Sequence, residues 1–488
     1  MDPIVKGVIL SSTILLLTIL IGYFWTKSQF KRGILLTLIL GLVLRIFGAA
    51  SPYLHEWDER YHALVAKNLV EHPLSPTLHE HPVLAYDNQN WVGSNIWLAK
   101  PAFPLWLMSG SIALFGDNLV AIRLPSILLG LLAVWLTFLI ARRLFGSKVA
   151  LVAAYLHAIH GLTIELIGGG VSSDHVENTF IVMVELAIYF VVLQRGLKLQ
   201  WRFTLLAGVF MGLAFLSKWY PAMIVLPVAV ILLCGNKEVK IKDGLIHLMA
   251  MAMIAFMFAF PWTYYMYLTH PKEMGAILSG ALSAYSNTVP SHDQVWYYYL
   301  NKVMVLFGEL FYLVIIFAIY RGVKSKTYRR YSLIGLISWI LIPLVLFSFA
   351  ETKRFTYLLI ASPAFFMLTA FFYVKVYDEY KSITKSIQFL LRGVILITIP
   401  ILSLRYTAER MKIFKTVEQP RAECYEWPES EWKKLDEETI VFGSDDYVEI
   451  MFHSDVYAAY RKVPAAAVID SLENQGYQVL IYKDFQFQ

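Results

Sequence analysis

The chain has 488 residues, of which 58% are hydrophobic and only 16% charged, with a net charge of +6. A soluble domain carries about 25% charged residues, so the composition excludes an ordinary soluble enzyme. Lys and Arg gather in short connections between apolar runs, which excludes a nucleic-acid-binding patch and leaves a polytopic α-helical membrane protein.

The first apolar run, Gly7 to Trp25, is followed by Thr26, Lys27 and Ser28 with no small-residue cleavage site, so it reads as an uncleaved helix. Spans are expected near 7–26, 33–50, 119–141, 148–166, 176–194, 203–217, 220–234, 244–262, 303–320, 331–349, 355–374 and 387–404, about twelve helices in all. Every second connection is basic: Lys27, Lys31 and Arg32; Arg142, Arg143 and Lys148; Arg195, Lys198 and Arg202; Lys237, Lys240 and Lys242; Arg321 to Arg330; Lys375, Lys381 and Lys385. The positive-inside pattern makes these cytoplasmic and puts residues 51–118, 263–302 and the tail after about 405 on the outer face. Three regions follow: 1–32, an additional N-terminal helix; 33–404, the membrane domain; and 405–488, a small soluble domain. In that tail Thr439–Gly443, Val456–Tyr460 and Tyr477–Tyr482 read as strands and Ala465–Asn474 as a helix, which predicts an α/β unit. Cys234 and Cys424 fall on opposite sides and form no metal or redox motif.

The stretch from Ser51 to Trp106 is polar, rich in His and aromatics, and too long for a simple turn. Its adjacent acids, Asp58 and Glu59, suit proton transfer from an attacking hydroxyl, or a metal; a solvated loop pair reads the same way. Lys100, among prolines and aromatics, suits a lipid phosphate or plain snorkelling to the headgroups. Asp174 follows three glycines and opens a span, as a site residue or a cap. Lys218 lies between two spans with almost no loop, where a charge needs a partner. Lys353 and Arg354 stand at another outer turn, as phosphate ligands or anchors. His79 and His81 alternate, which would place both rings on one face of a strand; they are the zinc candidates, with no helical His pair to support them. No cofactor is otherwise implied.

With these residues assembled, the chain resembles the C-type glycosyltransferases that use polyprenyl-phosphate sugars, within them the protein O-mannosyltransferase and lipid A aminoarabinose transferase group. The matching stretches are Trp57-Asp58-Glu59, Lys100-Pro101 with Trp106, FGDNLVAIRLPS (115–126), GLAFLSKW (212–219), Phe260-Pro261-Trp262 and KRFTYLLIASP (353–363). The resemblance implies a site on the outer face, a lipid phosphate as leaving group, Asp58 as the catalytic acid residue, and Lys100, Lys218, Arg354 and Tyr357 at the donor. Three departures bear on sugar and acceptor. Arg60 and Tyr61 come one position early, ALSAYSN stands where a Glu-His-x-x-Arg cluster is expected, and Trp219 replaces the usual Gly.

The expected function is therefore sugar transfer from a polyprenyl-phosphate donor to a hydroxyl of a lipid, glycan or protein, with inversion, at the plasma (inner) membrane. Asp58 is the base, Glu59 an orienting acid, and Lys100 with Arg354 a phosphate clamp. No glycine-rich nucleotide loop is present, which argues against a nucleotide sugar. A lipid or solute transporter and a non-catalytic scaffold are the alternatives.

Overall fold

The computed structural model describes residues 2–56, 58–86, 93–194, 199–234, 239–286, 294–379, 385–414, 432–483 and 486–487. Trp57, Arg195, Lys198, Lys237, Lys381 and Cys424 lie outside them. The apolar runs form helices. An antiparallel pair, α1 (Pro3–Thr26) and α2 (Phe30–Gly48), opens the chain. After α3 (Asp58–Asn68) and α4 (Ala102–Phe115) comes the long α5 (Leu119–Phe145). Asn118 caps α5 by accepting the Ala121 N–H at 2.9 Å, and the chain leaves it through Gly146, whose φ of 94° suits glycine. Helices α6 (Ser147–Ala158), α7 (Gly161–Ile167), α8 (Asp174–Leu193), α9 (Trp201–Lys218), α10 (Val225–Cys234) and α11 (Ile241–Thr269) follow. Then come α12 (Pro271–Ser286), α13 (Tyr298–Phe307), α14 (Phe311–Lys324), α15 (Thr327–Phe349), α16 (Ser362–Glu379) and α17 (Lys385–Met411).

Among the described residues seven helices are long and apolar enough to cross a membrane, or up to nine if each of two bent pairs is one span. The chain is thus a multi-pass membrane protein, with fewer than the expected twelve spans among the described residues. The segment expected at 148–166 is broken between α6 and α7 by a 55° bend, and the one at 303–320 between α13 and α14 by 95°. Helix α10 has only ten residues, about half the length a span needs. Helix α2 carries Lys31, Arg32 and Arg45.

Composition did not reveal the polar links inside the helix bundle. Thr137 donates to Glu185 at 2.6 Å and its hydroxyl lies 2.9 Å from His157 Nδ1, tying α5, α8 and α6 together. Arg45, fully buried on α2, donates to the carbonyls of Gly41 and Ala158, both at 3.1 Å. Polar side chains between helices in an apolar medium hold neighbours in register.

The tail folds as strands β1 (Thr439–Phe442), β2 (Ala458–Tyr460), β3 (Gln478–Lys483) and β4 (Gln486–Phe487), in sheet order β2-β1-β3-β4. β1 is buried and parallel to both neighbours, which is why TIVF is wholly apolar or β-branched. The helix Ala466–Asn474 lies where its periodicity put it, and a further helix, Tyr447–His453, starts directly after the adjacent acids Asp445 and Asp446, which read in the sequence as a helix start.

This unit packs on α3. Tyr61, Leu64 and Val65 share one apolar cluster with Trp432, Tyr447, Val448 and Phe452. Arg60 pairs with Glu449 at 3.2 Å, and Lys67 donates to the carbonyls of Met451, Phe452 and Ser454 at 3.2–3.3 Å, closing the open end of the helix Tyr447–His453. His79 and His81 belong to the same contact. His79 stacks on Tyr460 and Tyr447 with Nε2 3.2 Å from the Ala459 carbonyl, and His81 stacks on Tyr457. They do not share a strand face, so the zinc reading of the pair has no geometric basis: each ring is already engaged in packing.

Burial pushes the His79 imidazole down to about 4, against a smaller opposing effect of the Ala459 carbonyl. The folded form therefore binds its proton less readily than the unfolded chain. Docking stability from this residue is complete above about pH 6.5 and is lost as pH falls toward about 4. Melting of the full chain in detergent should drop over that window, and His79→Phe, which keeps the stack, should flatten the drop. A wild-type slope retained in the variant would refute the assignment.

Candidate active site

Two adjacent acids at the start of α3 point to different tasks. Glu59 is fully buried. Arg123 Nε and Nη2 reach its two oxygens at 2.7 and 3.0 Å, His175 Nε2 lies 3.2 Å from Oε1, and the His55 N–H donates at 2.6 Å. Burial alone would raise this carboxyl, but Arg123 and His175 outweigh it and hold it well below the usual carboxylate range. The glycine run explains how so large a cluster fits. A Cβ on Gly169, whose φ is +84°, would lie 2.3 Å from Glu59 Oε1, and one on Gly168 would lie 2.3 Å from the Gly48 carbonyl. Both Glu59 oxygens are thus engaged, by Arg123, His175 and the His55 N–H.

Asp58 keeps a partly exposed carboxylate, with 10% of its side chain accessible. Its Oδ2 accepts the Ser173 N–H at 2.7 Å and lies 3.6 Å from Lys100 Nζ. Burial would raise this carboxyl, but Lys100, His62, the Ser173 amide and Arg354 together hold it far below the ordinary value. Ser173 and Asp174 have φ of 73° and 28°, so the turn that offers this amide is strained, as functional turns often are. Asp174 is buried, and both of its oxygens meet His62 Nδ1, at 2.8 and 2.9 Å.

The cations converge from three other elements. Lys218, the last residue of α9, is paired with Glu177 and lies 4.5 Å from the Tyr357 ring centroid. Lys100 and Arg354 are within electrostatic reach of Lys218, and both act on Asp58. Arg354 stands at the head of a 3₁₀ turn, Phe355–Ala361, held by the Tyr299 hydroxyl, which donates to its carbonyl at 2.8 Å. Lys353 points elsewhere. It is buried and donates to the Ala350 carbonyl at 2.5 Å, closing the turn.

Of the residues singled out in the sequence, the structure gathers Asp58, Lys100, Asp174, Lys218, Arg354 and Tyr357. It adds His62, Arg123, His175 and Glu177, which sequence reading missed. Arg123 had a signal, since it lies inside FGDNLVAIRLPS, where an Arg deep in an apolar run needs an acid. Among the described residues no group of three His, Cys, Asp or Glu side chains is arranged to hold a metal ion.

Residues 99–265 match a family described as dolichyl-phosphate-mannose-protein mannosyltransferase. An undecaprenyl phosphate-alpha-4-amino-4-deoxy-L-arabinose arabinosyl transferase of Pseudomonas fluorescens is 26% identical over 269 residues, 54% of this chain and 47% of that protein. An uncharacterized protein of Aquifex aeolicus is 27% identical over 347 residues, 70% of this chain and 64% of its own length. The chain spans about half the length of the curated transferases it matches. Among solved structures, ArnT from Cupriavidus metallidurans bound to undecaprenyl phosphate superposes with a TM-score of 0.67 at 16% identity, covering 91% of this chain and 88% of that one. The archaeal oligosaccharyltransferase AglB from Archaeoglobus fulgidus gives 0.54 at 14% identity, covering 92% and 69%.

Breaking the Glu59–Arg123 pair from one side strands a buried charge, at a cost of about 3–5 kcal/mol. Glu59→Gln and Gly169→Ala should both lower the melting temperature and produce poorly inserted protein. A Glu59→Gln variant of wild-type stability would refute the buried-pair assignment, and one that is stable yet inactive would return Glu59 to the list of reacting groups. The chain is thus similar over part of its length to protein mannosyltransferases and aminoarabinose transferases, and it shares the fold of ArnT and AglB.

Proposed function

We propose that the protein transfers a sugar from a polyprenyl-phosphate donor to a hydroxyl of a lipid, glycan or protein, in one displacement that inverts the anomeric carbon. The observation that carries this reading is the meeting of one partly exposed carboxylate, Asp58, with Lys100 at 3.6 Å, inside the field of Arg354 and beside Lys218. Asp58 takes the proton of the acceptor hydroxyl. The acceptor oxygen bonds to the anomeric carbon, whose bond to phosphate oxygen breaks, and the phosphate leaves with the electron pair. Lys100, Arg354 and Lys218 stabilise that departing charge, and the Tyr357 ring sits against Lys218.

A carboxylate surrounded by cations is a weak base. The donor phosphate relieves this by drawing Lys100 and Arg354 toward itself, so Asp58 gains basicity when a donor is in place. Transfer then depends on donor binding, which limits idle proton uptake by an empty site.

The same reading puts the site on the outer face of the inner membrane. Arg123, beside the site, and Arg142–Arg143 belong to one helix, α5. They are separated along it by about 29 Å at 1.5 Å per residue. The basic end faces the cytoplasm, so the site end faces out. The α/β unit within 432–483, which packs on α3, then also lies outside.

Asp58→Asn should lower transfer by about 10²–10⁴-fold while binding of undecaprenyl phosphate persists. Lys100→Ala should weaken that binding as well, and Lys100→Arg should not restore it fully. Transfer within a few-fold of wild type in Asp58→Asn would refute the base assignment. A cysteine placed at Ser75 should be labelled from outside sealed cells and one at Ser325 should not; the reverse pattern would invert the topology.

A further inference from the structure

His62 lies one turn after Asp58 on α3, so both side chains rise from the same helix face. The ring is wholly buried against the edge of Trp97, and Nδ1 meets both oxygens of Asp174. Asp174 follows Ser173, whose N–H returns to Asp58. The four residues close a ring of two links between α3 and the head of α8: Asp58 to the Ser173 amide, and His62 to the Asp174 carboxylate. Neither link is local in sequence, since they join residues 115 and 112 positions apart. The positive φ of Ser173 and Asp174 means the turn would relax elsewhere without an anchor.

We propose that His62 is a positioning residue of the transfer reaction: its ring anchors Asp174, and through it the strained turn whose amide holds the Asp58 carboxylate. This rests on the transferase reading. Asp174, with both oxygens on the ring, serves as the anchor point and not as a second base. His62 touches no substrate. It fixes where the base stands and adds a polar ring behind it. The ring also acts electrostatically on Asp58 together with Lys100 and Arg354, while Glu59 is turned to Arg123.

The test uses full-length protein in nanodiscs and the polyprenyl-phosphate-sugar fraction extracted from the source cells, with release of polyprenyl phosphate as the readout. His62→Asn, whose amide can still donate toward Asp174, and His62→Leu, which cannot, are compared. Turnover should fall about tenfold in the first and about 100-fold or more in the second, with binding of undecaprenyl phosphate within about threefold of wild type. The acid limb of kcat/KM, set by Asp58, should move to higher pH in both, because a group that favours the carboxylate has gone. Asp174→Asn should lose turnover similarly, and the double variant His62→Asn/Asp174→Asn should lose little more than either single. An unmoved acid limb, or losses that simply multiply, would reduce His62 to packing and overturn the proposal. Where neither His62 variant folds, wild-type turnover in Asp174→Asn does the same. Absence of any release by the parent protein overturns the transferase reading itself; additive losses of melting temperature in the same double variant then also remove the His62–Asp174 link.

Discussion

Arg123 is 1% exposed, and its guanidinium makes five hydrogen bonds: two to Glu59, and one each to the carbonyls of Ala49, Ser51 and Tyr53. A guanidinium has five N–H groups, so a charge buried at the end of a membrane helix is fully satisfied. The consequence is geometric. The end of α2, the loop after it and the start of α3 are all drawn to one side chain on α5. Asp58 precedes Glu59 by one residue, so its position is set by a contact it does not make. Lys would not serve, because an ammonium has only three donors and no planar fork.

Helix α3 works on two faces. One carries Asp58 and His62 toward α8 and the cations. The other carries Arg60, Tyr61 and Lys67 toward the α/β unit, where Tyr61 and Tyr447 bring their hydroxyls to 3.0 Å. Short amphipathic helices are marginal alone, and this one, of 11 residues, is held from both sides. Precision at the carboxylate therefore comes from packing on the far face as much as from its own contacts.

Much of this was legible in the sequence. The apolar runs announced the membrane class because bilayer thickness fixes helix length. The glycines before Asp174 announced close approach, and the Gly169 contact with Glu59 is that approach. The strands of the tail were visible because TIVF and YQVLIY are short runs of β-branched, apolar and aromatic residues. The span count was not legible. A break such as that between α6 and α7 leaves hydropathy unchanged while bending the backbone. The division of labour between Asp58 and Glu59 was also hidden. It depends on Arg123, 64 positions later, and no local spacing encodes such a pairing. Lys353 and Arg354 looked like one motif, yet the Lys353 ammonium closes a turn on the Ala350 carbonyl while Arg354 acts on Asp58 and Lys218.

Glu449 and Arg60 are 389 positions apart, and Lys67 reaches carbonyls almost as distant. A ribosome adding about 5–20 residues per second needs roughly 20–80 s to cover that interval. Throughout it the apolar far face of α3 is without the unit that covers it. The helix bundle inserts before the sheet that supports its outer helix exists. Biogenesis thus imposes an order on assembly: membrane helices first, then the cap, and only then a fixed Asp58. A nascent chain thus holds α3 from one side only until residues 432–483 have been made.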